Sequence, residues 1–184
     1  MNELENAVVA LNRNLLIAYP TEAVFGLGCN PDSFAAVSAL LELKQRPVEK
    51  GLILVAATVE QLEKYVDFAA LSPVQKDEVF DSWPGEFTWV LPVKSSTPKW
   101  LTGEFSSIAA RVSAHPQIQQ ICQKYGKPIV STSANLAGEL PCRSADEVVK
   151  KLPQLAAIVG GSCNLDANPT QIKNALTGEI IRAG

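Results

Sequence analysis

Apolar and polar positions along this chain switch repeatedly between two periods. Apolar residues recur at helical spacing over 3–14, 34–44, 58–65, 73–81, 116–125 and 144–151. Between these stretches lie short apolar runs at 15–19, 52–56, 87–91, 107–111, 128–131, 155–159 and 179–182, each of strand length. The run Leu52-Ile53-Leu54-Val55-Ala56 is unbroken, as expected of a strand covered on both faces. Local punctuation adds detail. Ser33 is placed to cap a helix, Pro20 stops the first strand, Pro47 forces Arg46 into an extended conformation, and Gly26-Leu27-Gly28 reads as a turn. The predicted class is α/β, a mixed sheet with helices packed on it.

Composition narrows the picture. With 184 residues, 47% of them hydrophobic, the chain has enough apolar content for one domain, expected to run over 1–184. The net charge of -3 and pI near 5.2 weigh against a dedicated nucleic-acid binder, although a local basic concavity fits within that balance. No apolar run approaches the ~20 residues of a membrane span, and the acidic start Met1-Asn2-Glu3-Leu4-Glu5 lacks the features of a signal peptide. The expected location is cytoplasmic, away from membranes. Cys29, Cys122, Cys142 and Cys163 are scattered with no C-x-x-C pair, and a single His is present, so a zinc site is not expected.

Two distant segments carry candidate chemistry. Lys44, Arg46 and Lys50 place three cations in seven residues; if extended, Lys44 and Arg46 project to the same side. Arg offers a planar fork for phosphate or carboxylate and Lys a compact charge. Cations at a helix end also suit the macrodipole, so this segment alone leaves both readings open. Ser131, Thr132, Ser133 and Asn135 follow an apolar run, at the kind of strand end where ligands gather in open sheets. Such residues also serve as ordinary turn and cap residues. Thr21 and Glu22 follow another strand, with Thr21 a possible ligand donor and Glu22 a partner for a cation or an ammonium group. Arg111 ends a strand, and His115 four residues later is a candidate base or a structural residue. No G-x-G-x-x-G, P-loop or G-x-S-x-G pattern is present.

Taken in order, several segments are far more specific than any one. They are Tyr19-Pro20-Thr21-Glu22-Ala23-Val24-Phe25-Gly26-Leu27-Gly28, Leu43-Lys44-Gln45-Arg46-Pro47, Trp83-Pro84-Gly85, Arg111-Val112 with His115-Pro116, Ser131-Thr132-Ser133-Ala134-Asn135, Asn168-Pro169-Thr170 and Ile181-Arg182. Over essentially its whole length the chain closely resembles the YrdC (TsaC) family, the L-threonylcarbamoyladenylate synthases of tRNA modification, in their short bacterial form. The family's K-x-R and S-x-N signatures are met by Lys44/Arg46 and Ser133/Asn135. The resemblance implies a twisted open sheet with a concave, positively charged cavity. It implies that L-threonine, bicarbonate or carbon dioxide, and ATP give threonylcarbamoyl-AMP and pyrophosphate. Partner proteins then carry the threonylcarbamoyl group to adenosine 37 of tRNA. Under this resemblance Lys44 and Arg46 are the catalytic pair. Lys44, Arg46, Lys50, Ser131, Ser133, Asn135 and Arg182 would serve ATP and its phosphates, with Mg²⁺ on the phosphates and no protein metal ligand. Thr21, Arg111 and Thr170 would hold threonine. The alternative is a non-catalytic module that binds double-stranded RNA or tRNA by shape and phosphate contact.

Overall fold

The computed structural model describes residues 2–164, 166 and 170–183. In chain order the elements are α1 (Glu3–Asn12), β1 (Ile17–Pro20), β2 (Phe25–Cys29), α2 (Phe34–Leu43), β3 (Ile53–Ala56), α3 (Pro73–Asp81), β4 (Phe87–Pro92), α4 (Lys99–Thr102), β5 (Ser107–Val112), α5 (Pro116–Tyr125), β6 (Ile129–Ser133), α6 (Ala145–Lys151), β7 (Ala157–Ile158), β8 (Gln171–Asn174) and β9 (Ile180–Arg182). The strands form one twisted mixed sheet in the order β7-β1-β2-β6-β3-β5-β4-β8-β9. β3 runs parallel to β5 but antiparallel to β6, and β2 is antiparallel to both β1 and β6.

Successive side chains of the central strands point to opposite faces, and each face has its own core. Leu54 and Val130 join Leu27, Val37, Leu40, Leu101 and Val148 on one side. Val55 and Ile129 join Tyr19, Leu11, Ile118 and Ile121 on the other. The expectation that the 52–56 strand is covered on both faces is borne out. α5 shows the cause: Ile118, Ile121, Cys122 and Tyr125 recur at helical spacing and are buried, and Gly126 ends the helix in the left-handed conformation at φ 80°. Ser33 caps α2 as expected, its side chain accepting from the Ala36 N–H.

Two local expectations are corrected and one strand is new. Residues 26–28 are not a turn but the middle of β2. A Cβ on Gly26 or Gly28 would come within 3.1 or 2.8 Å of the Tyr19 ring, so these glycines are there to let that ring lie across the strand. The helical spacing over 58–65 yields only a short 3-10 turn, Glu60–Leu62. β8 carries no apolar run and went unpredicted; it pairs parallel to β4.

Candidate active site

Antiparallel pairing sets Gly26 of β2 opposite Ser133 and Ile53 of β3 opposite Ser131, so the end of β6 is held between two strands. Beside it opens a cavity of ≈ 240 Å³. Thr21, Glu22, Arg111, Ser131, Ser133, Thr170 and Arg182 line it, over an apolar base that includes Phe25, Ile53 and Val55. Residues singled out from the sequence as ligand-binding candidates, Thr132 among them, therefore line one cavity. Thr88, which lines it too, carried no signal of its own, being one polar position on an otherwise apolar strand. Among the described residues lining the cavity, Glu22 is the only carboxylate. Beneath, the Tyr19 hydroxyl donates to Ser131 Oγ at 2.8 Å from a fully buried ring.

Lys44 does not face open solvent. It is 8% exposed, and its Nζ donates at 2.7 Å to three oxygens: the Ser133 carbonyl, the Asn135 carbonyl and Asn135 Oδ1. Ser133 Oγ in turn donates to Asn135 Oδ1 at 2.6 Å. The two signature segments are thus bonded directly to each other across 89 and 91 residues of chain. Burial, and secondarily the charge of Arg46, push the Lys44 ammonium down to about 8, which leaves it protonated at neutral pH. An ammonium has three N–H donors, and here three oxygens at short range use them.

Lys44 and Arg46 are not presented by an extended segment, the condition under which the spacing would align them. α2 ends in a Schellman turn: Gln45 N–H donates to the Glu42 carbonyl and Arg46 N–H to the Leu41 carbonyl. Gln45 takes the left-handed position at φ 46°, usually a glycine's. This reversal sends Lys44 toward β6 and Arg46 into a neighbouring groove with Phe34, Leu41, Pro47, Val48 and Trp100. Arg46 Nη2 donates to the Gly51 carbonyl at 3.0 Å, while its Nε is buried with no partner. Lys50 is exposed on the following 3-10 turn, Val48–Lys50, and neither it nor Asn135 lines the cavity.

On the other side, Arg111 is 5% exposed and its Nη1 donates to Glu22 Oε2 at 2.9 Å. Ser113 Oγ donates to Glu22 Oε1 at 3.1 Å and accepts the His115 backbone N–H at 3.1 Å. The His115 ring is half-buried, its Nδ1 lacks a partner, and burial holds its pKa below the usual imidazole range. At the C-terminal end, Arg182 Nη2 and Nε donate to the Thr170 carbonyl at 2.6 and 3.2 Å, and the Thr170 hydroxyl lies 3.1 Å from that of Thr88. Asn168 and Pro169, which belong to the same motif as Thr170, lie outside the described residues.

Comparison with known proteins places the chain in a family. The Sua5/YciO/YrdC family model, described as telomere recombination, matches residues 9–184. A threonylcarbamoyl-AMP synthase of Yersinia enterocolitica is 56% identical over 185 aligned residues, covering 98% of this chain and 95% of that protein. A protein of the same name from Escherichia coli K12 is 54% identical over 178, covering 97% and 94%. Among solved structures, P. abyssi Sua5 complexed with L-threonine superposes with a TM-score of 0.83 at 28% identity, over 95% of this chain and 52% of that one. The present chain therefore spans about half the length of the P. abyssi protein. E. coli YciO shares the fold, with a TM-score of 0.82 at 24% identity, over 97% of this chain and 87% of that one.

Proposed function

The chain belongs to the Sua5/YciO/YrdC family, and from that premise we propose that it makes L-threonylcarbamoyl-AMP from L-threonine, bicarbonate or carbon dioxide, and ATP. This is the first step of threonylcarbamoyladenosine formation in tRNA, and it makes the protein a nucleotidyltransferase. We place it in the cytoplasm as a one-domain enzyme; among the described residues no helix is long and apolar enough to cross a membrane.

The threonine amine adds to the carbon of carbon dioxide and gives up a proton to solvent, becoming a carbamate. A carbamate oxygen attacks the α-phosphorus of ATP, the bond from that phosphorus to the bridging oxygen breaks, and pyrophosphate leaves. No protein nucleophile is required. What the reaction needs is alignment of two anionic reactants and stabilisation of charge on the phosphates. Arg111, with Thr21 and Thr170, is suited to the threonine end, its guanidinium taking the carboxylate. Ser131, Ser133, Arg46, Lys50 and Arg182 are suited to ATP. Lys44 contributes its charge from behind the wall while it and Asn135 hold Ser133 in place. The hydroxyl and guanidinium donors that line the cavity suit phosphate oxygens, and Mg²⁺ would arrive with ATP.

The observation that carries this reading is the direct bonding of Lys44 to Ser133 and Asn135 beside a cavity that also receives Arg111, Thr170 and Arg182. A non-catalytic RNA-binding module is not favoured, since relatives matched along nearly the full chain are named as synthases. The test is pyrophosphate release by the purified protein with each substrate omitted in turn. Release that requires threonine, bicarbonate and ATP together, with the adenylate identified by mass, is the expected result. Phosphate or AMP formed without threonine would overturn it.

A further inference from the structure

Glu22 is a carboxylate in the wall of a cavity read here as a site for anions, and the binding scheme above assigns it no ligand. Both of its oxygens are already engaged. Oε2 accepts from Arg111 Nη1 at 2.9 Å and Oε1 from Ser113 Oγ at 3.1 Å. Ser113 is wholly buried, and its oxygen also receives the His115 backbone N–H. A hydroxyl has one proton to give. With a donor arriving from His115, the proton of Ser113 is directed to Glu22. Donation thus runs from His115 N–H through Ser113 to Glu22, where it meets the bond donated from the other side by the guanidinium that lines the cavity.

We propose that Glu22 and Ser113 are positioning residues that hold the Arg111 guanidinium in one orientation for the carboxylate of the amino-acid substrate. This rests on the reading of Arg111 as the threonine-carboxylate partner. Two physical needs support it. A long arginine side chain free to change rotamer would lose that freedom on binding, and a prior hydrogen bond removes the loss in advance. A guanidinium this deeply buried also requires a counter-charge while the cavity is empty. Glu22 meets both needs through one N–H of the fork and leaves the other donors of the guanidinium for a second carboxylate. Ser113 fixes the Glu22 carboxylate in turn. Nothing in the local sequence marks Ser113 for this role, because its partner Glu22 is 91 residues away.

The experiment compares Ser113→Ala and Glu22→Gln with the unaltered protein. It measures L-threonine affinity by calorimetry without ATP, the KM for threonine and for ATP in pyrophosphate release, and the melting temperature. Threonine should bind about 3–10-fold more weakly to Ser113→Ala, because the lost bond to the Glu22 carboxylate acts on the ligand only through Arg111. The loss should be at least about tenfold in Glu22→Gln, where a charge-assisted bond is weakened. The KM for ATP should stay unchanged in both. Unchanged threonine affinity in the two variants overturns the proposal. So do threonine and ATP constants that rise in step with a falling melting temperature, because that pattern reports general loss of packing. If Glu22→Gln does not fold, Ser113→Ala decides alone. Absence of threonine binding and turnover in the unaltered protein would instead count against the synthase reading itself.

Discussion

Lys44 and Asn135 meet twice: the lysine ammonium donates to both the backbone carbonyl and the side-chain oxygen of the asparagine, at 2.7 Å each. With the third bond to the Ser133 carbonyl, the lysine fastens the end of α2 to the end of β6. Replacement by Met would take a donor from three part-buried oxygens; Asn135 Oδ1 keeps the Ser133 hydroxyl and the Ser133 carbonyl keeps the Asn135 N–H, while the Asn135 carbonyl loses its lysine partner. Lys44→Met should destabilise the fold by about 1–3 kcal/mol, the scale of leaving one such group unsatisfied. Urea unfolding measures this. Lys44→Arg should not rescue it, because a planar fork cannot aim three donors at three converging oxygens.

Arg46 has a different part. Its Nε is unpartnered and its Nη2 donates to the Gly51 carbonyl, so its removal strips less from the resting fold. Arg46→Ala should lower kcat/KM for pyrophosphate release by roughly 2–4 kcal/mol in transition-state terms, the scale of losing one preorganised donor. Turnover equal to that of the unaltered protein would exclude Arg46 from the phosphate site.

Gly28 supports the site from below. A Cβ there would sit 2.8 Å from the Tyr19 ring and 3.1 Å from the Val130 carbonyl, and the ring is fully buried with no room to retreat. Gly28→Ala should cost about 1–3 kcal/mol, the usual range for overpacking a filled core. Because the displaced ring also holds Ser131 through its hydroxyl, pyrophosphate release should fall further than stability alone accounts for. Thermal unfolding and the release assay on the same preparation separate the two effects.

The chain has a single histidine, so its titration can be followed without ambiguity. Burial holds the folded pKa of His115 below the value of 6.5. Below pH 6.5 the unfolded chain therefore binds a proton that the folded one resists, and stability must fall as pH drops through that window. His115→Asn, which cannot take up the proton, should flatten the dependence between about pH 6.5 and pH 5. Urea unfolding of both proteins across that range is the measurement. Equal slopes would show that the imidazole is not desolvated as described.

Much of this architecture was legible from periodicity. The spacing over 116–125 coincides with α5, and the apolar run at 52–56 with a strand between two cores. What escaped detection depends on partners far along the chain. Gly26 and Gly28 look like turn residues until Tyr19 is seen lying across them. Gln45 occupies a position where glycine would have signalled the helix stop, so the reversal that parts Lys44 from Arg46 left no mark. β8, Gln171-Ile172-Lys173-Asn174, is half-exposed on both faces and needs no apolar pattern. The K-x-R and S-x-N segments were recognisable as a pair, but not that the lysine serves the second segment before any ligand arrives.

The order of strands across the sheet has a consequence for how the protein is made. β2 is completed only when β6 pairs with it, more than a hundred residues later, and the cavity wall takes Thr170 and Arg182 from the last stretch of chain. A nascent polypeptide from which those two residues have not yet emerged cannot present the full pocket, so the capacity to bind substrate waits on the segment made last among those that line it.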